Sequence, residues 1–219
     1  MTLSLRVSSL SGLETLISGL QPSTTIAHVR LAAQQALRLG RCRMVSAAGD
    51  VLLMSATIGG LGLADGDLLT AVALPPELVG SRKSQAAGLL REDGSVVTWG
   101  NEGGGGDCSK KSDQLVQVEL LHAGPSAFAA VRSDGRLVTW GTEWGFWDKG
   151  AVKRQTDHFH DVVQICSSCA SCALLLGDGS VVTWGDRREG GDSSRVQHLL
   201  VNVTRLSSSA SAFAAIVQG

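Results

Sequence analysis

The chain has 219 residues, 43% of them apolar, with 19 Lys+Arg against 20 Asp+Glu. That length suits one or two domains with real cores. The balanced charge gives no footprint for nucleic acid or an anionic membrane, and no run of about 18 uncharged apolar residues marks a membrane span. The start, Met1-Thr-Leu-Ser-Leu-Arg-Val, lacks a basic segment followed by an unbroken apolar run. The expected location is therefore cytoplasmic or nuclear, where five cysteines stay as thiols.

In chain order, Leu3, Leu5 and Val7 alternate as a half-buried strand. Ser9-Leu-Ser-Gly12 makes a turn, and Leu13 to Leu20 returns. Thr25 reads as the N-cap of a helix, with Ile26, Val29, Ala33, Ala36 and Leu37 on one face. Arg43-Met-Val and Val51-Leu-Leu flank Ala48-Gly49-Asp50 as a short hairpin, and Ala64-Asp-Gly-Asp67 turns into a last strand, Leu68 to Leu74. A hairpin, then a helix, then strands predicts an α+β grasp-like domain over residues 1–74.

This order resembles ubiquitin-like β-grasp domains. The resemblance rests on Leu10-Ser-Gly12, Leu20-Gln-Pro-Ser-Thr-Thr-Ile26, Arg43-Met-Val45, Ala48-Gly-Asp50 and Gly66-Asp-Leu-Leu-Thr-Ala-Val72. Ubiquitin's conjugating Gly-Gly has no counterpart here: the equivalent point reads Ala73-Leu-Pro-Pro76 and the chain continues. Residues 1–82 also contain no lysine for chain formation. The resemblance therefore implies non-covalent recognition, through the positions that match ubiquitin's apolar patch: Leu10, Val45 and Val72. Ordinary strand alternation also leaves some apolar residues outside.

Residues 75–83, with Pro75-Pro76 and then Gly, Ser and charge, read as a linker. Beyond it the composition changes, since all nine aromatics lie at Trp99 or later. Residues 84–219 repeat. Ala87-Gly-Leu-Leu-Arg-Glu-Asp-Gly-Ser-Val-Val-Thr-Trp-Gly100 recurs at Phe128–Gly141 and Cys172–Gly185, and its tryptophans Trp99, Trp140 and Trp184 lie 41 and 44 residues apart. Asp107, Asp148 and Asp192 each follow their Trp by eight residues. A fourth copy begins at Ala212-Phe-Ala-Ala-Ile and breaks off before its turn. Each Asp-Gly pair (Gly94, Gly135, Gly179) predicts a two-residue primed hairpin turn with positive φ at both central residues. A further strand is expected near Val118, Val162 and Val203. One such hairpin cannot bury its own face, so neighbours must stack. The repeated Trp then packs at the seam between repeats. Substituting Trp184, beside the broken copy, is expected to cost less stability than substituting Trp140. Trp144 and Trp147 depart from the pattern, as edge packing or as exposed binding aromatics.

The repeats resemble those of the regulator of chromosome condensation family, as found in HERC-type ubiquitin ligases. The resemblance implies an all-β array, either partly propeller-like or an open solenoid. It also implies that the chain is a fragment of a larger HERC-like protein whose ligase domain lies elsewhere.

Other chemistry is weaker. Cys166-Ser-Ser-Cys169-Ala-Ser-Cys172 has metal-like spacing, with His158 and His160 upstream. An iron–sulfur cluster needs a fourth thiolate, and Cys172 aligns with Phe128 and Phe213, a packing position. Gly103–Gly106 lacks the Gly-Lys-Ser/Thr of a phosphate loop. His28, His122 and His198 have no partnered nucleophile in the sequence. The expectation is a non-enzymatic adaptor or scaffold linked to the ubiquitin system, with protein partners and no cofactor, metal, nucleic acid or membrane. The alternative is a small-GTPase regulator acting through the repeats, by fold analogy alone.

Overall fold

The structure, a computed structural model, describes residues 2–81, 83–125, 127–141, 159 and 161–218. It is mostly β, in several small sheets, and divides into two compact units: Met1–Pro76 with Glu92–Gly94, and Glu77–Arg91 with Ser95–Gly219.

In the first unit the alternation of Leu5 and Val7 sets the register of β1 (Leu3–Ser9), which pairs antiparallel with β2 (Glu14–Leu20). Gly12, at φ +86°, closes the turn between them. The helix α1 (Ile26–Leu37) starts at Thr25, whose backbone is extended as an N-cap requires, although its side chain makes no capping bond. The buried stripe is Ile26, Val29, Arg30, Ala33 and Leu37. Ala36, expected on that face, is exposed, because at 100° per residue it lies at the outer edge of the stripe, beyond Val29. The helix ends as Arg38 turns left-handed, φ 52°, with its N–H donating to the Gln34 carbonyl. The strands β3 (Cys42–Val45) and β4 (Leu68–Ala73) complete a sheet in the order β2-β1-β4-β3, in which β1 and β4 run parallel. Leu5, Val7, Ile26, Val29, Met44 and Leu69 form its core.

The second unit begins earlier than the sequence suggested. Within the expected linker, Glu77–Ser81 is a strand, β5, paired antiparallel with β6 (Ala86–Leu90). With β7 (Val96–Gly100) they form a three-stranded sheet. The next sheet joins β8 (Val118–Ala123), β9 (Ala127–Arg132) and β10 (Leu137–Gly141). The third joins β11 (Val162–Ser167), β12 (Ser171–Leu176) and β13 (Val181–Gly185), and the fourth has β14 (Val203–Ser208) and β15 (Phe213–Val217). The extra strand of each repeat thus precedes its hairpin, and β5 is the first example. The four sheets share no hydrogen-bonded ladder, so no barrel closes among the described residues, and no closed propeller is found there.

The hairpins are three-residue loops, not the two-residue primed turns expected. Arg132 N donates to the Arg136 carbonyl and Gly135 N to the Arg132 carbonyl, and Leu176, Gly179 and Ser180 repeat the pattern. Only the glycines are left-handed, each of Gly94, Gly135 and Gly179 at φ +80°. This is a type I turn followed by a bulge glycine. The Asp side chain instead caps the loop: Asp134 Oδ1 accepts from Arg136 N at 3.1 Å and Asp178 Oδ1 from Ser180 N at 2.9 Å.

Period-two alternation stacks the sheets. Phe128 and Ala130 of β9 face the first sheet, in a core with Leu90, Leu121 and Trp140. Ala129 and Val131, between them in sequence, face the third sheet with Cys172, Leu174 and Trp184. Ala173 and Leu175 of β12 then face the fourth with Val203 and Leu206. The central strands β9 and β12 are therefore buried on both faces and carry unbroken apolar runs.

Candidate functional site

The first unit packs α1 against one face of its sheet and leaves the other outward. Pairing decides which residues lie there. Arg43 faces Val72 and Val45 faces Thr70 across β3 and β4, while the alternate pair Met44 and Ala71 is buried. Val45 and Val72 thus share the outer face, both half-buried. Leu10 follows the β1–β4 pairing of Ser9 with Ala71, at the same end of the sheet as Val72, and is 75% exposed. The three residues picked from sequence therefore stand on one side of this unit.

The same face holds apolar residues that the sequence reading passed over. Leu16 of β2 and Leu68 of β4 both pair with Arg6 of β1, and Val51 bridges to Val45. Leu16 is 61% exposed and Val51 58%. The available signal was parity: Leu16 is out of phase with Ile17, which is buried. A polar margin accompanies them. Arg6 Nε lies 2.6 Å from Glu14 Oε1, and the hydrogen bond and charge of each partner raise the Arg6 pKa and lower that of Glu14. Both ends are exposed, so the pair orders the surface more than it stabilises it.

In the second unit the Trp-Gly signature is a packing device at two of its three copies. Trp140 stacks on Phe128, ring centroids 5.3 Å apart and planes 13° apart, and its Nε1–H donates to the Gly105 carbonyl at 3.0 Å. Gly105 is left-handed, φ +92°, and a Cβ there would come within 2.7 Å of Phe128. Gly190 stands in the same relation to Phe213. The Gly-rich stretches after Trp99 and Trp184 thus seat the aromatic of the next described hairpin, Phe128 and Phe213. Each Trp turns toward the preceding sheet. Trp184 is accordingly as buried as Trp140, at 3% against 8%, which removes the reason to expect a smaller cost at Trp184. Trp99, on the first sheet, is 47% exposed. Trp144, Trp147, Asp148, His158 and His160 lie outside the described residues.

Across these sheets no family model matches the chain, and comparison with curated proteins finds no match. Among solved structures the chain is similar to Caldiarchaeum subterraneum ubiquitin, with 21% identity, 33% of this chain and 92% of that chain covered, and a TM-score of 0.31.

The cysteines do not converge. Cys166 and Cys172 point to opposite faces of the third sheet, Cys166 toward Val203 and Leu206 and Cys172 toward Trp184. Burial pushes both thiols up, away from the thiolate a metal needs. Cys169 lies between β11 and β12 and accepts from Lys83 Nζ at 3.1 Å. Among the described residues no cluster of His, Cys, Asp and Glu could hold a metal ion, and no helix is long and apolar enough to cross a membrane. His122, isolated in sequence, meets Ser167 across the second and third sheets, Nε2 to Oγ 2.9 Å. Burial lowers its pKa to about 4, so the ring is neutral and ties two layers together.

Proposed function

We propose that this chain is a non-catalytic protein-interaction adaptor or scaffold of the ubiquitin system. Residues 1–76 would be a ubiquitin-like β-grasp unit that docks on a receptor, and the chromosome-condensation-like repeats would hold a second protein. One observation carries the reading: Leu10, Leu16, Val45, Val51 and Val72 collect on the side of the small sheet away from its helix. Contiguous exposed apolar residues beside polar ones are a mark of an interaction surface. A flat apolar stripe of this kind fits an amphipathic helix laid across the strands. The sheet order and the single packed helix support the ubiquitin-like assignment.

The test is a titration of the isotope-labelled chain with an amphipathic helical peptide from a ubiquitin receptor, followed by NMR. Shifts should concentrate at Leu10, Val45 and Val72. Val45→Asp should weaken binding by about tenfold or more at an unchanged melting temperature. Leu10→Asp, at a fully solvated turn, repeats the test if Val45→Asp disturbs folding. Shifts confined to α1, or an affinity indifferent to both substitutions, would overturn the reading.

A further inference from the structure

In the second unit the first hairpin of each sheet turns through a short loop, and the one longer loop carries a lysine. Gly124 N–H donates to the Ala127 carbonyl, Ser168 to Ser171 and Ser209 to Ala212, at 2.8, 2.9 and 2.9 Å, each across two intervening residues. In the first sheet four residues, 82–85, lie between the paired Ser81 and Ala86. The longer loop carries Lys83 to the third sheet, where its Nζ donates to Cys169 Sγ at 3.1 Å, across 86 positions of sequence.

Cys169 is held for this contact. Its backbone N–H donates to the Ala210 carbonyl of the fourth sheet at 2.9 Å. Ser168 beside it is fully buried, its Oγ donating to the Glu189 carbonyl at 3.2 Å. At the matching loop position the neighbouring sheets have Pro125 and Ala210, neither of them a nucleophile. Lys83 is exposed and Cys169 half-buried, within reach of a small solute. Cys166 and Cys172, at 7% and 1% exposure, are shut away from it.

From this pair we propose that the β5–β6 and β11–β12 loops form a redox-operated clasp, in which hydrogen peroxide joins Cys169 Sγ to Lys83 Nζ through a sulfenamide bond. Peroxide oxidises the Cys169 thiol to a sulfenic acid and is itself reduced, its second oxygen leaving as water. The neutral Lys83 amine then attacks that sulfur. The S–N bond forms as the S–O bond breaks, and the departing hydroxide takes one amine proton to leave as water. Two equivalents of a small thiol reverse the step, restoring thiol and amine and ending as the disulfide of the reductant. The second sheet packs between the first and the third, so the bond spans both of its interfaces. Closing so long a loop restricts the unfolded chain, and oxidation therefore raises the melting temperature of the array.

The test treats the full chain with hydrogen peroxide, blocks the remaining thiols, maps the digest by mass spectrometry and compares melting before and after. The wild type should give two peptides joined through Lys83 and Cys169, lighter than their sum by two hydrogen atoms, and a higher melting temperature. Dithiothreitol should undo both. Lys83→Arg keeps the charge without the nucleophile; it should form no link and accumulate several-fold more Cys169 sulfenic acid, trapped with dimedone. Cys169→Ser should give neither product. Both variants change loop positions and should melt as the reduced wild type does. In urea the wild type should not link, because only the fold brings the two residues together. An oxidised wild type without the joined peptides would overturn the proposal. So would a link that forms equally in urea or in Lys83→Arg, a Cys169 that pairs with another cysteine instead, or a link that leaves melting unchanged.

Discussion

His122 is held where a charge is expensive. Its pKa is lowered from 6.5 to about 4 by burial, while in the unfolded chain it titrates near its ordinary value. Between those values the unfolded chain binds a proton that the folded chain refuses. Stability is therefore intact above about pH 6.5 and falls as pH drops toward 4, by up to about 3 kcal/mol in all. His122→Gln removes the titrating group and should flatten that slope; urea unfolding at neutral and mildly acid pH measures it. An unchanged slope would place the acid sensitivity elsewhere. Gly135 is as exacting in another way. It sits at φ +80°, and a Cβ there would lie 2.8 Å from the Phe159 carbonyl oxygen. Gly135→Ala should cost about 1–3 kcal/mol from the left-handed backbone and the close contact together, and thermal melting would register it. The glycine was legible from Asp-Gly in the sequence. The turn type was not, because Asp134 can cap a three-residue loop as readily as it can occupy a primed turn.

Among the elements, those with strict alternation and unambiguous turns could be read in advance: β1, α1 and the three Asp-Gly hairpins. The strand β5 escaped because Pro75-Pro76 and Gly80 dominate its neighbourhood. Its partner also lies in the following hairpin, and the strands at Val118, Val162 and Val203, traced back one period, would have revealed it. The direction in which each Trp faces was invisible for a similar reason: a repeat sequence has no intrinsic front. Pairing with β6 leaves Trp99 half exposed, while identical sequence buries Trp184. Close layer packing gives an element-scale prediction. A Cβ on Gly88 would lie 2.9 Å from Phe128 Cε1 and 3.3 Å from Leu121 Cδ2, so Gly88→Ala overpacks the first interface. It should cost about 1–3 kcal/mol in chemical denaturation, and a neutral substitution would mean that the first two sheets are not tightly apposed.

For the whole molecule, the core of the first unit draws entirely on residues between Leu5 and Ala71. Residues 1–76, made alone, should melt cooperatively and keep the outer face that binding requires; a noncooperative melt would show that this unit is not self-sufficient. The second unit has no such single core. Its stability is distributed over three interlayer contacts, as in other stacked repeats. The most direct measurement of that arrangement is denaturant unfolding of Trp99→Ala, Trp140→Ala and Trp184→Ala side by side. Stacking toward the preceding sheet predicts losses of about 3–5 kcal/mol for the buried Trp140 and Trp184, and no more than about 1 kcal/mol for Trp99. Equal losses at all three positions, or a larger loss at Trp99 than at Trp184, would contradict it.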